Sequence, residues 1–225
     1  MAANSFNQTD FTAFRHDKSF LPTNTRDVQR WIGGYQLGLG GQGMVGPWVG
    51  VNSRNRVTKR IAIKRSRIPA SVWRAQRNWV PHAGIATGVP IGTHAHMLLS
   101  AHSDRHFLKY IDHRIEAQEQ QVLTFTEFCS HGSLGDVLDQ LRRFNIANRE
   151  NPRHLPESWL WFIFEALARA NVDMASIGQR ADAGEIDHFA VHCDLKPDNV
   201  FLAEPDPHVH QHRFFPIPKV LPLIR

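Results

Sequence analysis

Residues 191–202 read Val-His-Cys-Asp-Leu-Lys-Pro-Asp-Asn-Val-Phe-Leu. A short apolar stretch opens onto a polar loop, and an apolar run comes after it. Within the loop, Lys196 stands two residues after Asp194 and Asn199 stands five after it. That spacing puts a base, a cation and a metal-ligating amide on one loop. The plain alternative is a polar connection between a helix and a strand.

A second pattern lies upstream. Gly38-Leu39-Gly40-Gly41-Gln42-Gly43-Met44-Val45 lets a backbone turn lie close over an anion, with its N–H groups facing it. A purely structural turn reads the same way, and the residues after the third glycine separate the meanings. A dinucleotide fold needs a helix directly there. Instead the chain continues with Pro47, Trp48, Val49, Gly50 and Val51, which favours a flap between two strands. One strand later comes Ile61-Ala62-Ile63-Lys64. A lysine beside a Gly-rich flap can act as a point charge on phosphate, whereas a surface lysine needs no ligand. The basic run Arg54–Arg67 around it also suits nucleic acid or nuclear import.

Charge is distributed unevenly. Residues 1–115 hold 16 Lys+Arg, five Asp and no Glu, a net +11, whereas residues 116–225 are net −6. A basic half of this kind calls for an anionic partner. Two cysteines, Cys129 and Cys193, cannot build a disulfide framework, which suits a reducing compartment. No apolar run is long enough to span a membrane, and the first residues lack a secretory pattern. The expected location is therefore intracellular, cytoplasmic or nuclear.

Residues 1–30 are polar and aperiodic, and are expected to form a flexible N-terminal tail. Strands are expected across Tyr35–Val51 as a pair, at 57–64, at Phe107–Ile111 and at Val122–Phe128. Between 69 and 96, Pro and Gly break the chain into short pieces, with helices near Val72–Asn78 and Thr93–Ala101. Ser133 caps a helix whose Leu134, Val137, Leu138 and Leu141 keep helical spacing. A longer helix runs from Pro156 to about Met174 and is apolar over most of its circumference, the mark of a helix buried all round. His208, His210 and His212 alternate along an extended segment, but without a carboxylate or cysteine nearby they read as a solvated loop. Strands precede helices, an α+β pattern.

In their order, the glycine loop, the Ile61–Lys64 strand, the linker Glu127-Phe128-Cys129-Ser130-His131-Gly132-Ser133-Leu134 and the Asp194–Asn199 loop resemble the eukaryotic protein kinases. The resemblance spans about residues 33–220, and Lys196 gives it the serine/threonine form. It implies a kinase-like domain over 31–225, with an antiparallel β N-lobe at about 31–128 and a mainly helical, incomplete C-lobe at about 129–225. It implies ATP and Mg²⁺ as cofactors and a protein substrate; no membrane partner is expected, and nucleic acid is the less favoured partner. Leu37 and Val45 would sit above the adenine and Phe201 below it. Ala62 would line the pocket and Thr126 would stand at its rear. Glu127 and Cys129 would bond the adenine edge through their backbones. Gly38, Gly40 and Gly43 would cover the phosphates, and Lys64 would pair with them. Asp194 would accept the substrate proton, Lys196 would steady the γ-phosphate, Asn199 would hold Mg²⁺, and His192 would brace the loop.

Three departures accompany the resemblance. No helix glutamate is available for Lys64, and its place falls near His94. Cys193 replaces the arginine common in that loop. No Asp-Phe-Gly comes after Val220, so the chain is expected to be a truncated, poorly active form. The alternatives are a non-catalytic nucleotide-binding pseudokinase or scaffold fragment, and a basic nucleic-acid-binding module.

Overall fold

The computed structural model describes residues 6–21, 28–40, 43–82, 85–103, 105–178, 192–208 and 213–222. In chain order the elements are α1 (Gln8–His16), β1 (Arg30–Gly33), β2 (Gly38–Gly40), β3 (Gly43–Val51), β4 (Val57–Arg67), α2 (Ala70–Trp73), β5 (Trp79–His82), β6 (Ile85–Pro90), α3 (Ile91–His102), β7 (Tyr110–Glu116), β8 (Gln121–Glu127), α4 (Leu134–Ala147), α5 (Glu157–Gly178), β9 (Val200–Ala203) and β10 (Ile217–Val220). Short 3-10 turns sit at Gln76–Asn78 and Pro197–Asn199. The class is α+β, with antiparallel sheets. Among the described residues no helix is long and apolar enough to cross a membrane.

The contacts divide the chain into two units. The first joins residues 1–89 with 110–128, and the second joins 90–109 with 129–225. One division falls after Phe128. Residues 90–109, expected with the first unit, group with the second. The reason is visible in their side chains. Leu99 of α3 and Phe107 are fully enclosed in a cluster with Ala170 and Met174 of α5 and Val220 of β10.

In the first unit, β1, β3, β4, β8 and β7 lie side by side in that order, with β2 added to β3. Alternation along β4 decides its two faces. Ile61 and Ile63 enter a core with Trp48 of β3 and Leu123 and Phe125 of β8. Ala62 and Lys64 point the other way.

The same core contains Phe6, Phe11, Phe14, Phe20 and Leu21, so the expected flexible tail is corrected over residues 6–21. The helix start is encoded locally. The Asn7 carboxamide accepts hydrogen bonds from the N–H groups of Thr9 and Asp10, at 2.8 and 3.0 Å. The Asp10 carboxylate accepts the Asn7 N–H at 2.8 Å, which completes a capping box for α1. Phe11 and Phe14, one turn apart, then bury themselves on the sheet. Gly46 of β3 leaves room for them, since a Cβ there would stand 3.3 Å from Phe11 and 3.4 Å from Phe14. Arg65 fastens the layer. Its guanidinium lies 5.2 Å from each of the Phe14 and Phe20 rings and 3.4 Å from Asp17.

In the second unit, α4 starts at a capping box in which Ser133 and Asp136 satisfy each other's backbone N–H. Leu134 packs with Trp159 and Ile163 of α5 and with Val200 and Leu202 of β9. On α5 the buried residues Trp159, Ile163, Ala166, Ala170 and Met174 recur at helical spacing. Phe162 and Leu167 are partly buried against the same clusters, but the opposite side of the helix is uncovered. Trp161 and Phe164 are each 63% exposed, so the expectation of a helix buried all round is corrected to a helix buried on one side.

Apart from α1 and β1, which no expected element anticipates, and the pair β5–β6, the elements keep the expected order with shifted ends. The pair β5–β6 has no counterpart among the expected strands, because the prolines and glycines of that stretch hide its strand pattern.

Candidate functional site

The sequence-predicted residues fall into two groups, one in each unit. In the first unit Gly38, Val45, Ala62, Lys64 and Thr126 share the sheet face that points away from α1. Cross-strand register sets Val45 opposite Lys64, and Lys64 opposite Thr124. Pro47 stands opposite Ala62, and Ala62 opposite Thr126. Gly38 of β2 pairs with Val45, and the Leu37 N–H donates to the Val45 carbonyl at 2.9 Å. Gly38, Val45, Ala62, Lys64 and Thr126 therefore line one continuous surface, and the Leu37 backbone adjoins it at Val45. Gly40 pairs with Gly43 at the tip of the hairpin, while Gly41 and Gln42 lie outside the described residues. Gly43 must be glycine. Its φ is +156°, and a Cβ would stand 2.6 Å from the Arg65 carbonyl oxygen. Glu127 ends β8 opposite Ile61.

Lys64 is the charged group of this surface. It is half-buried, and its ammonium has no hydrogen-bond or ion-pair partner among the described residues. Burial pulls its pKa below the ordinary lysine value. The helix α3 contains no Asp or Glu, so it offers Lys64 no carboxylate. An uncompensated cation on a mostly apolar face is suited to an anion supplied from outside.

In the second unit the loop 192–199 is held by a closed set of hydrogen bonds. The His192 Nδ1 accepts the Asp194 N–H at 3.2 Å, and Nε2 lies 2.7 Å from the Leu221 carbonyl. The two bonds together assign the neutral tautomer with hydrogen on Nε2. The Asn199 carboxamide donates to the Asp194 carbonyl at 2.7 Å and to its carboxylate at 3.1 Å. The Lys196 ammonium sits 3.2 Å from the same carboxylate oxygen. These donors hold the exposed Asp194 carboxyl below the usual carboxylate range, Lys196 first and Asn199 second. The Leu221 N–H closes the loop onto the Asn199 carbonyl at 2.9 Å. Asp194, Lys196 and Asn199 are thus brought together as the sequence implied.

Phe201 and Cys129 also meet. Both belong to a cluster with Leu108, Ala203 and Ile217. Phe201 bridges Ser133 across the chain, and the Leu202 N–H donates to the Gly132 carbonyl at 2.9 Å. The segment Gly132–Ser133 is therefore joined directly to β9.

Two supporting contacts are not legible in the sequence. The first is Gly135, in the first turn of α4. A Cβ there would stand 2.7 Å from an Asp198 carboxylate oxygen and 3.2 Å from the Asp198 backbone nitrogen. Only a glycine allows α4 to approach the loop so closely. The second is Glu204, whose carboxylate accepts the Ser130 hydroxyl and lies 3.3 Å from His131 Nε2. A close-approach glycine gives no signal without coordinates, and Glu204 is remote from the linker in sequence.

Of the three alternating histidines, His210 and His212 lie outside the described residues. Among the described residues no group of three or more His, Cys, Asp or Glu is placed to hold a metal ion. No family model matches the chain, and no curated protein does either.

Proposed function

We propose that this chain is a serine/threonine-protein-kinase-like domain that binds ATP with Mg²⁺ and serves phosphoryl transfer to protein Ser or Thr hydroxyls. The observation that carries this reading is the Asp194 carboxylate, kept ionised and aimed by Lys196 and Asn199 in a loop that His192 braces.

The residues suit the cofactors. Lys64 offers phosphate oxygens an otherwise unpartnered cation. Asn199 uses its Nδ2 on Asp194, and its Oδ1 accepts no hydrogen bond among the described residues. A hard amide oxygen of this kind is what Mg²⁺ takes alongside phosphates and water. When bound, ATP supplies the transferred group and Mg²⁺ neutralises charge on its phosphates.

The chain's own residues then divide the work. The surface of Leu37, Val45 and Ala62 supplies apolar cover, and the β2–β3 hairpin supplies backbone N–H groups. Lys64 draws the phosphates. Asp194 takes the proton of the attacking hydroxyl on its carboxylate, and Lys196 balances negative charge beside it.

A second reading, a nucleotide-binding domain without turnover, is favoured by one observation. Lys64 has no carboxylate partner among the described residues, so nothing there holds its ammonium in a single position.

Titration with a fluorescent ATP analogue, combined with γ-phosphate transfer to a basic protein, separates the two. Binding lost in Lys64→Ala, with transfer lost in Asp194→Ala, supports the kinase reading. Binding that needs Lys64 without Asp194-dependent transfer selects the second reading. Equal binding by wild type and Lys64→Ala removes both.

A further inference from the structure

An open groove runs along the C-terminal half of α4, on the stripe that continues from Leu134 and Gly135 past the turn that meets the loop. It is lined by Leu138, Leu141, Arg142, Asn145, Ile146 and Arg149. These positions recur every three or four residues, so they form one stripe of a helix. The stripe is apolar at Leu138, Leu141 and Ile146 and cationic at Arg142 and Arg149. Ile146 is 59% exposed, and only Leu134 of this helix is buried. Neither arginine has an ion-pair partner among the described residues.

The rim of the groove is built in advance. Both polar ends of the Asn145 carboxamide are used on the Arg153 backbone, at 2.9 and 2.8 Å, which pins the next turn of chain against α4. The Arg153 guanidinium lies over the Phe144 ring at 4.2 Å. A surface with its polar floor already satisfied loses little freedom when a partner lands on it.

We infer that this face of α4 is a docking surface for an acidic amphipathic helical segment of a partner protein. Charge selects the occupant. Arg142 and Arg149 stand two turns apart on one stripe, and each presents a planar fork that matches a carboxylate. A helix with carboxylates seven residues apart and apolar residues between them meets both arginines while covering Leu138, Leu141 and Ile146. This surface lies within the second unit and stands independently of the proposed catalytic function.

The test uses the full chain and a fluorescein-labelled amphipathic peptide of about five helical turns, built from Leu and Glu, with Gln and Lys counterparts. Anisotropy is expected to show binding of the Glu peptide that weakens with added salt, and about tenfold weaker binding of the Gln peptide. Arg142→Glu/Arg149→Glu is expected to lose the Glu peptide and gain the Lys peptide. Ile146→Asp is expected to lose the Glu peptide by about tenfold or more. All these positions are surface-exposed or half-buried, and circular dichroism checks that each variant folds. Equal binding of the Glu and Gln peptides overturns the inference, as does a charge reversal without effect. Two further results overturn it in favour of another occupant. One is a concentration-dependent dimer that Ile146→Asp abolishes without peptide binding. The other is binding to phosphatidylserine vesicles in preference to the Glu peptide.

Discussion

At the residue scale, Lys64 carries opposite consequences for stability and for binding. Its folded pKa lies below the ordinary 10.5 because burial disfavours the ammonium. Between the folded value and 10.5 the unfolded chain binds more protons than the folded one, so stability rises with pH across that window. Below the window the full penalty is present. Lys64→Met is therefore expected to stabilise the free chain at neutral pH by about 1 kcal/mol, with the gain shrinking as pH climbs through the window. Urea denaturation at a series of pH values measures this; a loss of stability at neutral pH would show that the ammonium has a native partner. The same substitution is expected to weaken tripolyphosphate binding, the stability–function opposition common at sites with an unpaired charge. Gly135 is the second decisive residue. Gly135→Ala drives a methyl group into Asp198, and the α4–loop contact has to open. Such a clash costs about 1–3 kcal/mol. Hydrogen exchange at Asn199, whose N–H bonds the Lys196 carbonyl, is expected to accelerate, while the core strands of the first unit stay protected.

At the element scale, α1 is a structural layer of the sheet. Phe14 is 1% exposed and touches Phe20 and Trp48 at ring separations of 5.5 and 5.9 Å. Phe14→Ala is expected to destabilise the chain by about 3–5 kcal/mol, as a large cavity in a core does. Thr12→Ala on the exposed side of the same helix is expected to cost less than about 1 kcal/mol. Thermal melts of the two variants check the contrast. α1 also marks where the sequence stops being legible. Its phenylalanines are spread over a long polar segment, and the capping pair Asn7 and Asp10 is easily taken for loop residues. The β-sheet and the 192–199 loop are legible for the reverse reason. Period-two alternation in β4 and β8, glycines at a hairpin, and Asp194, Lys196 and Asn199 at short spacing are all local patterns. The pairing of distant segments leaves no local trace. The enclosure of Leu99 and Phe107 by α5 and β10 moves residues 90–109 to the second unit, and nothing in their own sequence announces those neighbours.

At the scale of the whole molecule, two surface features act against each other. The chain is net +5, and between Asp27 and Asp104 there is no carboxylate to offset ten Lys+Arg. That excess keeps copies apart at low ionic strength. Against it stands the uncovered side of α5, where Leu160, Trp161, Phe164 and Val172 are all exposed. Trp161 and Phe164 meet edge to face at 6.0 Å and form an exposed aromatic patch, a feature that favours association. Salt screens the repulsion, since the Debye length falls from about 10 Å at 0.1 M to about 3 Å at 1 M. The apolar attraction is not screened. The chain is therefore expected to self-associate more strongly as salt is raised, opposite to the behaviour of an assembly held by ion pairs. Trp161→Gln/Phe164→Gln is expected to remove that association with a change in stability of about 0.5 kcal/mol or less, because both side chains already face solvent. Ile163→Ala, two residues from Trp161 but on the enclosed side of α5, is expected to cost about 2–5 kcal/mol. Light scattering across a salt series, paired with melts of the two variants, measures both halves of this expectation. Association that weakens with salt, or persists in the double variant, would assign it to a different surface.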